Sequence, residues 1–169
     1  MAIYHYHKTN DAEAALRYLP SLAAKYKLSN ASRLESEEEK LTGYISWAQS
    51  AFPVVIKTKI NVRVPLVGEL FLAGEVSRLD IDINSGGYRA VLLTDKADDW
   101  KSELRMPVLQ AAIASTFKRD VGEVAVGVQH LDGSHLETMT FSGSEVQEAE
   151  REALRMAEAV SAELARVRG

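Results

Sequence analysis

The chain has 169 residues, no cysteine and a net charge of −4. That length suits one domain able to bury a core without staples, and the missing cysteine excludes disulfides, thiolate metal sites and thiol catalysis. No apolar run approaches the ~20 residues of a membrane helix, and MAIYHYHKTNDAEAAL lacks the pattern of a signal peptide. The expectation is a cytoplasmic protein that does not touch membranes. Its acidic balance argues against a strongly electrostatic nucleic-acid binder while leaving room for a local basic strip.

Asn10, with Glu13 three residues on, has capping spacing before a helix bearing Leu16 and Leu19. Pro20 interrupts that pattern, which can resume through Leu22, Ala23 and Tyr26; residues 27–32 read as a loop. Ser36 and Glu37, Glu38 and Glu39 suggest a second helix start, with Leu41, Tyr44, Ile45, Ala48 and Phe52 as its apolar stripe and Pro53 as its end.

Residues 54–64 alternate as a strand: Val54, Ile56, Thr58, Ile60, Val62 and Val64 on one face, Lys57, Lys59, Asn61 and Arg63 on the other. A turn at 65–68 leads to a strand over 69–83. Its apolar positions shift from even (Leu70, Leu72, Val76) to odd (Leu79, Ile81, Ile83), which predicts a bulge or sharp twist near Ser77. NSGG (84–87) is a hairpin turn before a strand at 88–96. A helix opens at Ser102 with Pro107 in an early turn. Strands at 124–128 and 136–141 flank the turn at 132–134. Ser144 and Gln147 form a capping box for a final amphipathic helix carrying Val146, Ala149, Ala153, Met156, Val160, Leu164 and Val167. The whole predicts one α+β domain with a twisted, mainly antiparallel or mixed five-stranded sheet flanked by helices. Residues 1–52 form its helical N-terminal part and 53–169 its sheet-and-helix module.

Few constellations suggest chemistry. His5 and His7 would point the same way on a strand, as some metal sites need, but have no third ligand. His130 and His135 flank a turn and read as exposed. Asp80 and Asp82 share a strand face and could hold a hard cation, or simply guard an edge strand. Lys57, Lys59 and Arg63 could track a phosphate backbone, or be the wet side of a strand.

Residues 52–147 resemble the RecB-type nuclease module of the PD-(D/E)XK superfamily. The segments that carry the resemblance are LAGEVSRLD (72–80), AVLLTDK (90–96) and PVLQAAIA (107–114), followed in the same order by a hairpin (123–142) and a helix (144–154). The resemblance implies a restriction-endonuclease-like fold and a cleft where two acids hold divalent metal and a lysine assists the attacking water. Lys96 and Gln110 match that pattern. The first acid falls on Ser77, the second on Thr94, the tyrosine on Ala114, and an upstream glutamate on Lys59 or Asn61. Neutral hydroxyls are poor ligands for Mg2+.

Three readings follow. The first is a catalytically degenerate nuclease-like accessory protein, free of cofactor, that meets DNA or a DNA-processing complex through Lys57, Lys59, Arg63 and Lys96. In the second, an active nuclease uses Mg2+ or Mn2+ on Asp80 and Asp95, with Lys96 orienting the water and Gln110 contacting it or the substrate. The third is a structural or assembly protein that engages a protein partner or a second copy through its C-terminal helix; an apolar patch left exposed on that helix would favour it.

Overall fold

The computed structural model describes residues 2–26, 30–95 and 99–168. Three helices come first: α1 (Ala2–Thr9), α2 (Ala12–Lys25) and α3 (Ala31–Ala51). Strands β1 (Val54–Pro65), β2 (Phe71–Ile81) and β3 (Tyr88–Thr94) form an antiparallel meander. Helix α4 (Arg105–Phe117) crosses over to β4 (Val124–His130), which lies parallel to β3. Strand β5 (Leu136–Met139) returns antiparallel, and α5 (Gly143–Arg168) ends the chain. The sheet order is β1-β2-β3-β4-β5. The fold is therefore α+β, with a mixed, mostly antiparallel sheet between helices, as the alternation of periods predicts. Among the described residues no helix is long and apolar enough to cross a membrane.

The two sheet faces carry different cores. Ile60, Val62, Val76, Leu79, Ala90, Val124 and Val126 pack against Met106 and Ile113 of α4 and Val146 of α5. On the other face, Ala2, Ile3 and Tyr6 of α1, Ala15 of α2 and Leu41, Tyr44, Ile45 and Ala48 of α3 form a second cluster. Each fully buried aliphatic side chain stabilises by about 1.5–3 kcal/mol, so each face has its own driving force.

The predicted flip in β2 is present. Glu75 meets Tyr4 of α1, and Arg78 meets Tyr44 of α3, while Val76 and Leu79 lie in the core beneath α4. The alternation reverses between Ser77 and Arg78. Lys59, across from this point, has a left-handed backbone (φ 55°). The ladder itself keeps its register there and slips instead at Val55–Lys57, which the sequence pattern does not disclose. Residues 76–80 are buried on both faces, and such a strand has no polar side to mark its phase.

Several boundaries differ from expectation. Residues 2–9, where the pattern gives no element, form α1; it is short and is held by burial of Ala2, Ile3 and Tyr6. The N-cap of α2 is Asp11, whose carboxylate accepts from the Ala14 N–H; Asn10 instead closes α1 in a left-handed conformation (φ 52°). Helix α2 runs on through Pro20, whose ring is solvent-exposed while Leu16, Leu19 and Leu22 pack on the helical cluster. Packing there outweighs the lost hydrogen bond. Helix α3 begins five residues before Ser36, because the Asn30 side chain caps the Ser32 N–H. The capping box of α5 is Ser142 with Glu145, not Ser144 with Gln147: the Ser142 N–H donates to Glu145 Oε2 at 2.7 Å, and the Glu145 N–H donates to Ser142 Oγ. A carboxylate is the stronger acceptor at a helix start.

One close approach fixes where α3 crosses the sheet. A Cβ at Gly43 would collide with the Asp132 carbonyl in the β4–β5 turn, and one at Gly133 (φ 74°) with the Gly43 carbonyl. Gly43→Ala is expected to destabilise by about 1–3 kcal/mol despite alanine's better helix propensity. Urea denaturation would measure it, and a stabilised variant would refute the contact.

Candidate functional site

The residues that the nuclease resemblance selects are dispersed over the fold. Asp80 is fully buried in β2 and accepts from Arg78 Nε at 2.7 Å. Asp95 lies at the end of β3, largely exposed, with Lys40 Nζ 3.6 Å away. Arg89 is the cross-strand partner of Asp80 and precedes Asp95 by six residues, so the two carboxylates stand roughly 20 Å apart along the strand. No single metal ion is reached by both.

Gln110 is buried on the opposite face. Its Nε2 donates to the Val121 and Phe141 carbonyls at 3.0 and 2.9 Å, and its Oε1 accepts from the Phe141 N–H at 2.8 Å. This side chain clamps α4 to the chain after β5. Ser77 Oγ accepts from the Leu93 N–H where the β2–β3 ladder stops, and Ala114 is core. Lys96 lies outside the described residues.

The cations of β1 do not form one stripe. Lys57 pairs across the ladder with Leu79, hence on the α4 side. Lys59 Nζ lies 3.9 Å from Glu75 Oε2, on the α1 side. Arg63 stacks 3.5 Å over the Phe71 ring. The slip at Val55–Lys57 and the left-handed Lys59 break the simple alternation.

The histidine pairs also separate. On helix α1, His5 stacks on Tyr18 and His7 bonds Tyr44. His135 Nε2 lies 2.7 Å from Glu137 Oε1, while His130 is half-buried. Asp82 is half-buried at the end of β2 and caps the 84–87 turn through the Asn84 N–H. Among the described residues no group of three or more histidine, aspartate or glutamate side chains is arranged to hold a metal ion.

What the fold does assemble is a buried polar chain between the sheet and α3. Arg78, Asp80, Tyr44 and Gln129 are each at most 1% exposed. Arg78 Nη1 donates to the Tyr44 hydroxyl and, at 2.7 Å, to Gln129 Oε1. The Arg78 guanidinium also sits 4.6 Å over the Trp47 ring. A guanidinium only donates, so Tyr44 accepts from it, and the same hydroxyl is hydrogen-bonded to His7 Nε2, 2.7 Å away. Burial, and secondarily the Arg78 charge, push the His7 pKa down to about 4. Burial pushes the Tyr44 hydroxyl up to about 12 against the pull of Arg78. Burial likewise pushes the Asp80 carboxyl up, again opposed by Arg78.

Four buried atoms around this chain, Arg78 Nη2, Asp80 Oδ2, Arg89 Nε and Gln129 Nε2, have no hydrogen-bond partner among the described residues. Arg78, Tyr44 and Gln129 are not singled out by motif reasoning. The available signal was Arg78 and Asp80 two apart, hence on one face, in a strand apolar in both phases. Two opposite charges on a covered face pair with each other before they bind anything else.

A second feature is the far end of α5. Val146, Ala149, Ala153 and Ala157 are buried, and Ala149 and Ala153 pack with Val108 of α4. The same apolar seam continues through Val160, Leu164 and Val167, where 51%, 42% and 75% of each residue is exposed. Met156 beside it is 56% exposed. No protein-family model matches the chain, and no curated protein matches it in sequence.

Removing one member of a buried ion pair leaves the other uncompensated. Asp80→Ala is expected to cost about 3–5 kcal/mol in urea denaturation, and Arg78→Met with Asp80→Leu together to cost less than either single change. Additive losses would refute the pairing. His7 sets a pH dependence. Its folded pKa of about 4 lies below the unfolded value, so the unfolded chain binds more protons between those values. Stability therefore rises with pH from about 4 to about 6.5 and levels off above. His7→Gln should flatten that part of the curve, and an unchanged slope would exclude His7 as its source.

Proposed function

We propose that this chain is an assembly module that acts by binding protein, and that its partner at α5 is a second copy of the same chain. The observation that carries this reading is the uncovered seam on α5. Residues 157, 160, 164 and 167 follow the alternating three- and four-residue spacing with which one helix packs along another. The first part of the seam is filled by α4, while the last three turns have no cover among the described residues.

Self-pairing is supported by the seam's own symmetry. In an antiparallel pair centred on Ala162, Val160 faces Leu164, and Val167 comes to lie at the buried end of the seam, at Ala157. Glu158 then faces Arg166, an opposite-charge flank that also rejects the parallel arrangement. The paired stretch, Ala157–Val167, is about 15 Å long, below the extent of a standard stable interface. The dimer is therefore weak and concentration-dependent.

The nuclease-like reading has less support. It relies on a cleft lined by Asp80, Asp95, Lys96 and Gln110 and on a basic strip on β1. Asp80 and Gln110 hold the fold together from opposite faces, and Lys59 and Arg63 are engaged by Glu75 and Phe71.

Sedimentation equilibrium tests the proposal. The wild-type chain should self-associate with rising concentration. Leu164→Glu should remain monomeric with an unchanged melting temperature, because the residue is solvent-facing in the monomer. A wild-type chain that stays monomeric throughout would overturn the proposal. If that monomer also retarded duplex DNA through Lys57 and Lys59, the nucleic-acid reading would take its place.

A further inference from the structure

The C-terminal ends of α1 and α3 converge on a groove of about 450 Å³, on the face of the sheet away from α5. Tyr6, His7 and Asn10 line it from the end of α1, and Gln49, Phe52 and Pro53 from the end of α3. The volume falls in the range of small-molecule sites.

Phe52 is the residue that neither packing nor backbone preference accounts for. It caps α3 in a left-handed conformation (φ 45°), donating its N–H to the Ala48 carbonyl at 3.0 Å. Glycine is the usual residue at that position, and a bulky side chain there is strained. The ring nevertheless stands 78% exposed. Strained residues held at the rim of a cleft are a recurrent mark of ligand sites. Asn10, across the groove, is likewise left-handed.

No full charge lines the groove among the described residues, and the N-terminus of α2, which begins at Ala12 behind the Asp11 cap, lies next to Asn10. Two helix C-termini bring their negative dipole ends to it, together with final carbonyls that have no helical N–H beyond them. The Asn10 and Gln49 side-chain amides make no hydrogen bond within the described residues, so their oxygens can accept and their NH2 groups can donate. His7 is kept neutral by burial and by the Arg78 charge, and Lys8, exposed in the last turn of α1, does not line the groove. Among the described residues no lysine or arginine lines it. Two aromatic rings, Tyr6 and Phe52, do.

We propose that this groove is a binding site for a small organic cation, an alkylammonium whose charge sits over the Phe52 ring and among the closing carbonyls of α1 and α3. The ring quadrupole attracts such a cation, and the attraction is largest for quaternary ammonium groups that carry little water. The site is independent of α5.

The probe is choline, compared with its uncharged carbon isostere 3,3-dimethylbutan-1-ol, by titration of the intact chain with amide chemical-shift mapping. Choline should bind saturably, with shifts at residues 6–10 and 49–53, and the alcohol at least about tenfold more weakly. Phe52→Leu keeps apolar bulk and removes the ring face, and should weaken choline about threefold or more. Gln49→Lys places a like charge in the groove and should abolish binding while leaving self-association through α5 intact. Equal binding of choline and the alcohol would overturn the proposal. So would a wild-type titration without curvature at concentrations that fill a millimolar site, or choline binding unaffected by both substitutions in folded protein.

Discussion

The ion pair between Arg78 and Asp80 at the centre of the sheet is the constraint on which the helical layer depends. Two full charges in a covered strand are tolerated only if they satisfy each other and their neighbours. Here one guanidinium reaches a carboxylate on its own strand, an amide on β4 and a phenol on α3. Those bonds tie three elements that apolar packing alone would leave free to slide. The Tyr44 hydroxyl passes the constraint on to His7, which registers α1 against α3. Apolar contacts supply most of the driving force, and the polar chain selects a single arrangement of it.

The same reasoning explains why the site suggested by family resemblance does not come together. A metal-dependent nuclease needs its anionic ligands unpaired and convergent. Asp80 is neutralised by Arg78, Asp95 stands roughly 20 Å along the strand, and Gln110 belongs to the other face. The order of elements is compatible with many activities, because fold and site are separate properties. What remains available for interaction is surface with no structural duty: the uncovered seam of α5 and the groove closed by Phe52. One is apolar and linear, suited to another helix. The other is concave and aromatic with no lysine or arginine among its described lining, suited to a small cation. They occupy opposite layers, so occupation of one does not block the other.

Much of the fold was legible in the sequence because it rests on local periodicity. The strand over 54–64, the phase change near Ser77, the turns at 84–87 and 132–134 and the apolar stripe of α5 each follow from side-chain spacing and are present in the structure, while the slip at Val55–Lys57 and the left-handed Lys59 break the strict alternation of β1. Boundaries set by a single side-chain hydrogen bond were less legible. Asp11, Asn30 and Ser142 cap their helices although neighbours of similar chemistry offer competing caps, and α2 crosses Pro20 because burial of its leucines outweighs the breaker. Of the candidate site, only the residue types could be read. Asp80 and Lys59 are present as chemistry, but their partners Arg78 and Glu75 decide what they are free to do.

The sequence by itself therefore determined the class of the fold, the order of its elements and the presence of an amphipathic terminal helix, since these depend on the period of hydrophobicity along the chain. Only the tertiary structure decided which polar groups are engaged and which are available. That distinction depends on distances between residues tens of positions apart: Tyr44 to Arg78, Gln110 to Phe141, and the end of α1 to the end of α3. Coulomb attraction and desolvation act across space, and a linear pattern carries no record of which charges folding will bring within hydrogen-bond reach.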